Sequence, residues 1–128
     1  MEAVNVYVDT HVIAWLYAGD VDRLSRKALR LLEKGRLLFS PISFLELSYL
    51  HEIGRLRAES GEIFKDLSSR VGLKMCELPF SEVASQARFE AWTRDPFDRI
   101  VVAHARLTHA PLVTADRLIS QNYARSVA

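Results

Sequence analysis

Four carboxylates stand far apart in the sequence, each where a strand would end or a helix begin: Asp9 in Val8-Asp9-Thr10, Glu46 in Ser43-Phe44-Leu45-Glu46-Leu47, Asp98 in Asp95-Pro96-Phe97-Asp98-Arg99, and Asp116 in Val113-Thr114-Ala115-Asp116. Acids so distant can meet only through the fold. If they do, their mutual repulsion is costly unless a cation neutralises it, and hard oxygen donors select Mg²⁺ or Mn²⁺ over Zn²⁺. That donor set suits hydrolysis of a phosphodiester by metal-activated water.

Each acid also has a plain structural role open to it. Ser43-Phe44-Leu45-Glu46 matches a capping box, in which Glu46 bonds the Ser43 backbone N–H. Asp95 before Pro96 fits a helix N-cap, which puts Asp98 at the third helical position, and Asp116 fits the cap of a last helix. The structural reading weakens when the four are taken together, because helix starts gathered at one sheet edge would make a strongly acidic pocket. Other chemistries find less support. His51-Glu52 opens like a zinc-binding helix, but Arg55 stands where the second histidine belongs, and no glycine-rich phosphate loop occurs.

The elements that must position the acids follow from the apolar spacing. Val4 to Val8 reads as a buried strand, His11 to Ala18 as a helix stopped by Gly19, and a second helix runs from Ser25 to Gly35. Leu37-Leu38-Phe39 is a second strand, and Ser43 opens a helix to Ile53. A further helix spans Ser60 to Val71, and Leu73 to Leu78 is the third strand. Ser81 caps a helix to Trp92, Pro96 starts another that ends before Pro111, Leu112-Val113-Thr114 is the fourth strand, and Asp116 starts the last helix. Alternating short strands and helices predict an α/β protein with a mostly parallel sheet covered on both faces. Right-handed crossovers put the C-terminal strand ends, and with them Asp9 and Asp116, on one edge.

The length of 128 residues, with 49% hydrophobic and 26% charged, fits one domain spanning residues 1–128 and excludes a disordered or fibrous chain. The net charge of +1 says nothing of partners, but Arg23, Arg26, Lys27, Arg30, Lys34 and Arg36 face only Glu33 within their segment. That run is either a solvated helix face or one turned to nucleic acid. The one cysteine, Cys76, cannot form an internal disulfide, which favours the cytoplasm. The N-terminus lacks the basic stretch and apolar length of a signal peptide, and no segment reaches the ~18 apolar residues of a membrane span.

With these motifs in order and nearly spanning the chain, the sequence resembles the PIN domains; its small size and the His11 to Trp15 opening resemble the VapC-type toxins of toxin–antitoxin pairs. The Asp95-Pro96-Phe97-Asp98-Arg99 block carries most of the resemblance. It implies a three-layer α/β/α sandwich, Mg²⁺- or Mn²⁺-dependent endoribonuclease activity, a homodimer, and inhibition by an antitoxin. Asp9, Glu46, Asp98 and Asp116 fall on the family's acidic positions, and Thr10 and Thr114 on its supporting hydroxyls. Asp9, Asp98 and Asp116 are then the expected metal ligands, Glu46 a ligand or the base that orients water, and Asp95 a rim or cap residue. Arg99 is expected to pair with the carboxylates or to serve the transition state. The large residues Trp15 and Leu31 are either core or part of a groove on the first helices that receives an antitoxin segment. The C-terminus leaves little length for a fifth strand. A non-catalytic RNA- or protein-binding module and a DNA-directed nuclease are the alternatives.

Overall fold

The computed structural model describes residues 3–128. Five parallel strands form one sheet in the order β3-β2-β1-β4-β5: β1 (Asn5–Val8), β2 (Arg36–Phe39), β3 (Lys74–Met75), β4 (Leu112–Val113) and β5 (Ser126–Val127). Seven α-helices among the described residues connect them: α1 (Thr10–Ala18), α2 (Arg26–Lys34), α3 (Pro41–Glu52), α4 (Ser60–Val71), α5 (Phe80–Ala87), α6 (Pro96–Leu107) and α7 (Arg117–Asn122).

The period of two along the strands builds three layers. Val6, Val8, Leu37, Phe39 and Val113 point to one face, where Val12 and Ile13 of α1, Ala28 and Leu32 of α2, Leu47 of α3 and Ile63 and Leu67 of α4 cover them. Tyr7, Leu38 and Leu112 point to the other face, under Val101, Val102 and Ala105 of α6 and Ile119 of α7, with α5 packed on α6 through Val83 and Ala103. The chain steps from β1 outward to β3 under the first group of helices. It then returns to the far side of β1 under the second group, so the sheet changes direction between β1 and β4. In parallel sheets, that reversal opens a crevice at the C-terminal strand ends.

Several expected boundaries move. The fifth strand exists: Leu112 and Val113 pair with Ser126 and Val127. Helix α3 starts at Pro41, capped by the Ser40 hydroxyl, and not at Ser43, whose N–H already donates to the Ser40 carbonyl at 2.9 Å. Helix α5 starts at Phe80 after Pro79 and stops at Ala87, well short of Trp92. Beyond it the Arg99 guanidinium donates to the Ala87 and Arg88 carbonyls at the helix end, at 3.0 and 2.9 Å. The third strand shrinks to two exposed residues at the sheet edge.

Candidate active site

Three of the acids are N-caps, and the caps converge. Asp9 leaves β1 in an extended conformation and caps α1; its Oδ1 accepts from Thr10 N at 2.8 Å. Asp116 caps α7 through Ile119 N at 3.0 Å, and Asp95 caps α6 through Phe97 N at 2.9 Å. The structural and the chemical readings are therefore not rivals. A cap fixes the carboxylate at the positive end of a helix, which lowers the cost of massing negative charge there.

Asp9 is the anchor. It is 4% exposed, and its Oδ2 accepts the Thr114 hydroxyl at 2.6 Å, across the β1–β4 seam. The same Thr114 oxygen accepts from Asp116 N at 3.1 Å, so one hydroxyl ties two acids of neighbouring strands together. Thr10, also buried, donates to the Ser43 hydroxyl at 2.9 Å and so joins α1 to the first turn of α3. Ser43 carried no signal beyond the capping box, and its place inside the helix leaves Glu46 free of capping duty. Glu46 turns half-buried from α3, and Asp98 half-buried from the first turn of α6.

The electrostatics report the convergence. Burial, then the charges of Asp95, Asp9, Asp116 and Glu46 in that order, push the Asp98 carboxyl up to about 7. Burial also raises Asp9, opposed by the Thr114 and Thr10 donors and by His11, with Asp116 adding to the rise. Glu46 is raised by burial and by Asp9 and Asp95, with Thr10 and His11 pulling the other way. A carboxyl raised by burial and further by four neighbouring acids occupies a pocket that favours a cation.

Among the described residues, no three acidic, histidine or cysteine side chains are drawn close enough to form a ready ligand set. The donors fit Mg²⁺ or Mn²⁺ nonetheless. They are all carboxylate and hydroxyl oxygens, and Mg²⁺ keeps several waters and takes only one or two carboxylates directly.

Arg99 corrects the expectation placed on it. Its guanidinium donates to the carbonyls of Ala87, Thr93 and Arg88 and forms no ion pair with the acids. Successive helical residues point ~100° apart, so Asp98 faces the crevice while Arg99 faces the end of α5. It braces the loop before Asp95. Trp15 and Leu31 both pack against the core, but only Leu31 lines a groove, of about 530 Å³, with Val4, Val6, Lys27, Arg30, Lys34 and Gly35. Trp15 lies instead under Arg23, whose guanidinium carbon is 5.2 Å from its ring centroid.

The sequence also hid a polar hub. Buried Glu90 accepts from Arg106 Nε and Nη2 at 2.8 and 2.9 Å, from Trp92 at 3.0 Å and from Gln86 at 3.0 Å. Burial would raise its carboxyl, but these donors outweigh it and hold the group below the ordinary glutamate value. Arg106 is two turns along α6 from Asp98, at the end away from the crevice, so this hub is a brace and not part of the site.

A family model described as the PIN domain matches residues 6–124. This chain belongs to the PIN domain family. The PIN fold is shared with a toxin–antitoxin complex from Klebsiella pneumoniae, 17% identical with 96% of each chain covered and a TM-score of 0.66. It is shared too with VapBC2 from Rickettsia felis bound to a promoter DNA fragment, 16% identical over 98% of each chain, TM-score 0.66. VapBC-1 from nontypeable Haemophilus influenzae is 18% identical over 95% of this PIN chain and 92% of its own, TM-score 0.61. Among curated proteins none matches significantly. No helix of the described residues is long and apolar enough to cross a membrane.

Proposed function

We propose that this chain is a Mg²⁺- or Mn²⁺-dependent endoribonuclease and the VapC-type toxin of a toxin–antitoxin pair. The observation that carries the reading is Asp98, whose carboxyl is pushed up to about 7 first by burial and then by the charges of Asp95, Asp9, Asp116 and Glu46. The solved relatives are toxin–antitoxin assemblies by their descriptions, which supports the biological role.

A divalent cation bound there would supply a charge that steadies the developing phosphoryl oxyanion and acidifies the attacking water. Asp9, fixed by two hydrogen bonds, would offer such an ion an oriented carboxylate, and Asp98 and Asp116 would hold it through intervening waters. Glu46, whose affinity for a proton is raised, is suited to take one from water at its carboxylate. Thr114 and Thr10 hold Asp9 and the α3 start in register, and Asp95 adds negative charge at the rim.

Asp9→Asn and Asp98→Asn variants tested on RNA with saturating Mg²⁺ should lose cleavage while keeping their circular dichroism spectra. Wild-type rates in both would reject the assignment. The partners proposed with this reading are an RNA substrate, an antitoxin and a second copy of the chain, in the cytoplasm that the unpaired, buried Cys76 suits. The Leu31 groove, apolar at its floor and rimmed by three cations, is the antitoxin surface we favour. Leu31→Glu should abolish antitoxin binding and leave RNA cleavage intact. Trp15→Ala separates a groove that reaches α1 from one confined to α2. A monomer in light scattering at micromolar concentration would remove the homodimer.

A further inference from the structure

The acids that suit a cation repel an RNA backbone, and a net charge of +1 gives little general attraction to offset them. A contact to a base rather than to the backbone would add affinity where the acids repel the phosphates. On α3, three residues beyond Glu46 and so on the same side of the helix, Tyr49 is 47% exposed. Its ring meets that of Phe97, the residue before Asp98, at a centroid distance of 5.6 Å and an angle of 89°. The edge-on contact packs one side of the Tyr49 ring while nearly half of the residue stays open. A solvent-facing aromatic packed on Phe97 thus stands on the same two helices as Glu46 and Asp98.

We propose that Tyr49, steadied by Phe97, is the platform on which an unpaired base of the RNA substrate stacks beside the scissile phosphate. The proposal rests on the ribonuclease reading and makes it narrower. A base can reach an exposed ring only when it is free of a helix, so the preferred substrate is a single strand or loop. Phe97 acts through Tyr49 as a positioning residue.

The test uses full-length Asp98→Asn protein in a chelator, so that binding is read without cleavage, and a fluorescently labelled single-stranded RNA oligomer followed by anisotropy. Tyr49→Ala should weaken binding by roughly 5- to 150-fold, the worth of one stacked base, and Tyr49→Trp should restore it. Blunt duplex RNA of the same sequence should bind equally weakly to all three. In the cleavage-competent background the alanine variant should raise KM far more than it lowers kcat. Unchanged affinity in Tyr49→Ala, no restoration by tryptophan, or no single-strand binding at all overturns the platform. A change in oligomeric state with RNA affinity intact also overturns it and makes Tyr49 an interface residue instead. Robust binding by the parent protein with no cleavage at any metal concentration would sink the nuclease reading and leave the platform standing.

Discussion

Replacing Asp98 by asparagine should make the metal-free protein more stable. The folded carboxyl titrates at about 7 against an ordinary aspartate value of 3.8. Below the unfolded value both states hold the proton and the group costs nothing. Between the two values the unfolded chain ionises while the folded one does not, so stability falls as pH rises, and above the folded value the loss is complete. Three pKa units at ~1.4 kcal/mol each set a ceiling of about 4 kcal/mol. Solvent screening of a half-buried group and the lost attraction of a first-turn acid to its helix dipole reduce this to about 2 kcal/mol. For a chain of this size that is a rise in Tm of roughly 8 °C. The assay is thermal unfolding in a chelator from pH 4 to pH 8.5. The variant's advantage should be absent at pH 4, grow through pH 7 and then level off, and saturating Mg²⁺ should narrow it by stabilising the wild type. An Asp98→Asn protein no more stable than wild type at pH 8, or an advantage independent of pH, would refute the convergence of charge on Asp98.

Thr114→Val keeps the side-chain shape but strips buried Asp9 of its 2.6 Å donor and Asp116 N of its acceptor. Unfolding by urea should show a loss of ~1–3 kcal/mol. Gly35→Ala places a Cβ 2.4 Å from Val6 Cγ2 and 2.8 Å from the Leu31 carbonyl oxygen, where α2 hands over to β2. Overpacking should cost roughly 1–3 kcal/mol in the same measurement, and a neutral effect would mean the seam between α2 and β1 yields easily. His104, buried in α6 with its Nδ1 unpartnered, is pushed by burial down to about 4. The unfolded chain therefore binds a proton that the folded one refuses, and stability should fall as pH drops from about 6.5 to 4. His104→Leu should flatten that limb of the denaturation profile.

Much of the fold was legible because its strands are short, β-branched runs bounded by turn and cap residues. Val6, Tyr7 and Val8 announce a strand buried on both faces, and Asp9 and Asp116 sit where the runs stop. The acids were readable for the same reason, since a strand end followed by a helix start locates a residue without any knowledge of its neighbours. What failed turned on partners that no single local pattern points to, some adjacent and some remote in sequence. Ser43 looked like a cap because the Ser-x-x-Glu spacing is local, whereas Pro41 at the first helical position and the Ser40 hydroxyl decided the start of α3. Arg99 looked like a partner for Asp98 by adjacency, yet the helix turned it toward carbonyls twelve and eleven residues back. Glu90 gave no signal, because its four hydrogen bonds come from three residues that no pattern groups together. The fifth strand, two residues long, is a strand only because Val113 offers it an edge.

The hydrogen bond from Thr114 to Asp9 spans 105 positions of the chain. A polypeptide emerging from its N-terminus makes Asp9 early, and its first elements can begin to fold as they appear. At that stage β1 has only β2 and β3 on one side, and its other edge is bare. Until residues 112–116 are made and dock there, Asp9 lacks its hydroxyl donor and Asp116 does not yet exist, so the acid site stays incomplete. This non-local closure is also the slowest kind of step in a folding chain, because the loop entropy must be overcome before the contact forms. If the chain is the ribonuclease proposed above, an unfinished copy lacks a complete acid site by topology until synthesis has passed residue 116.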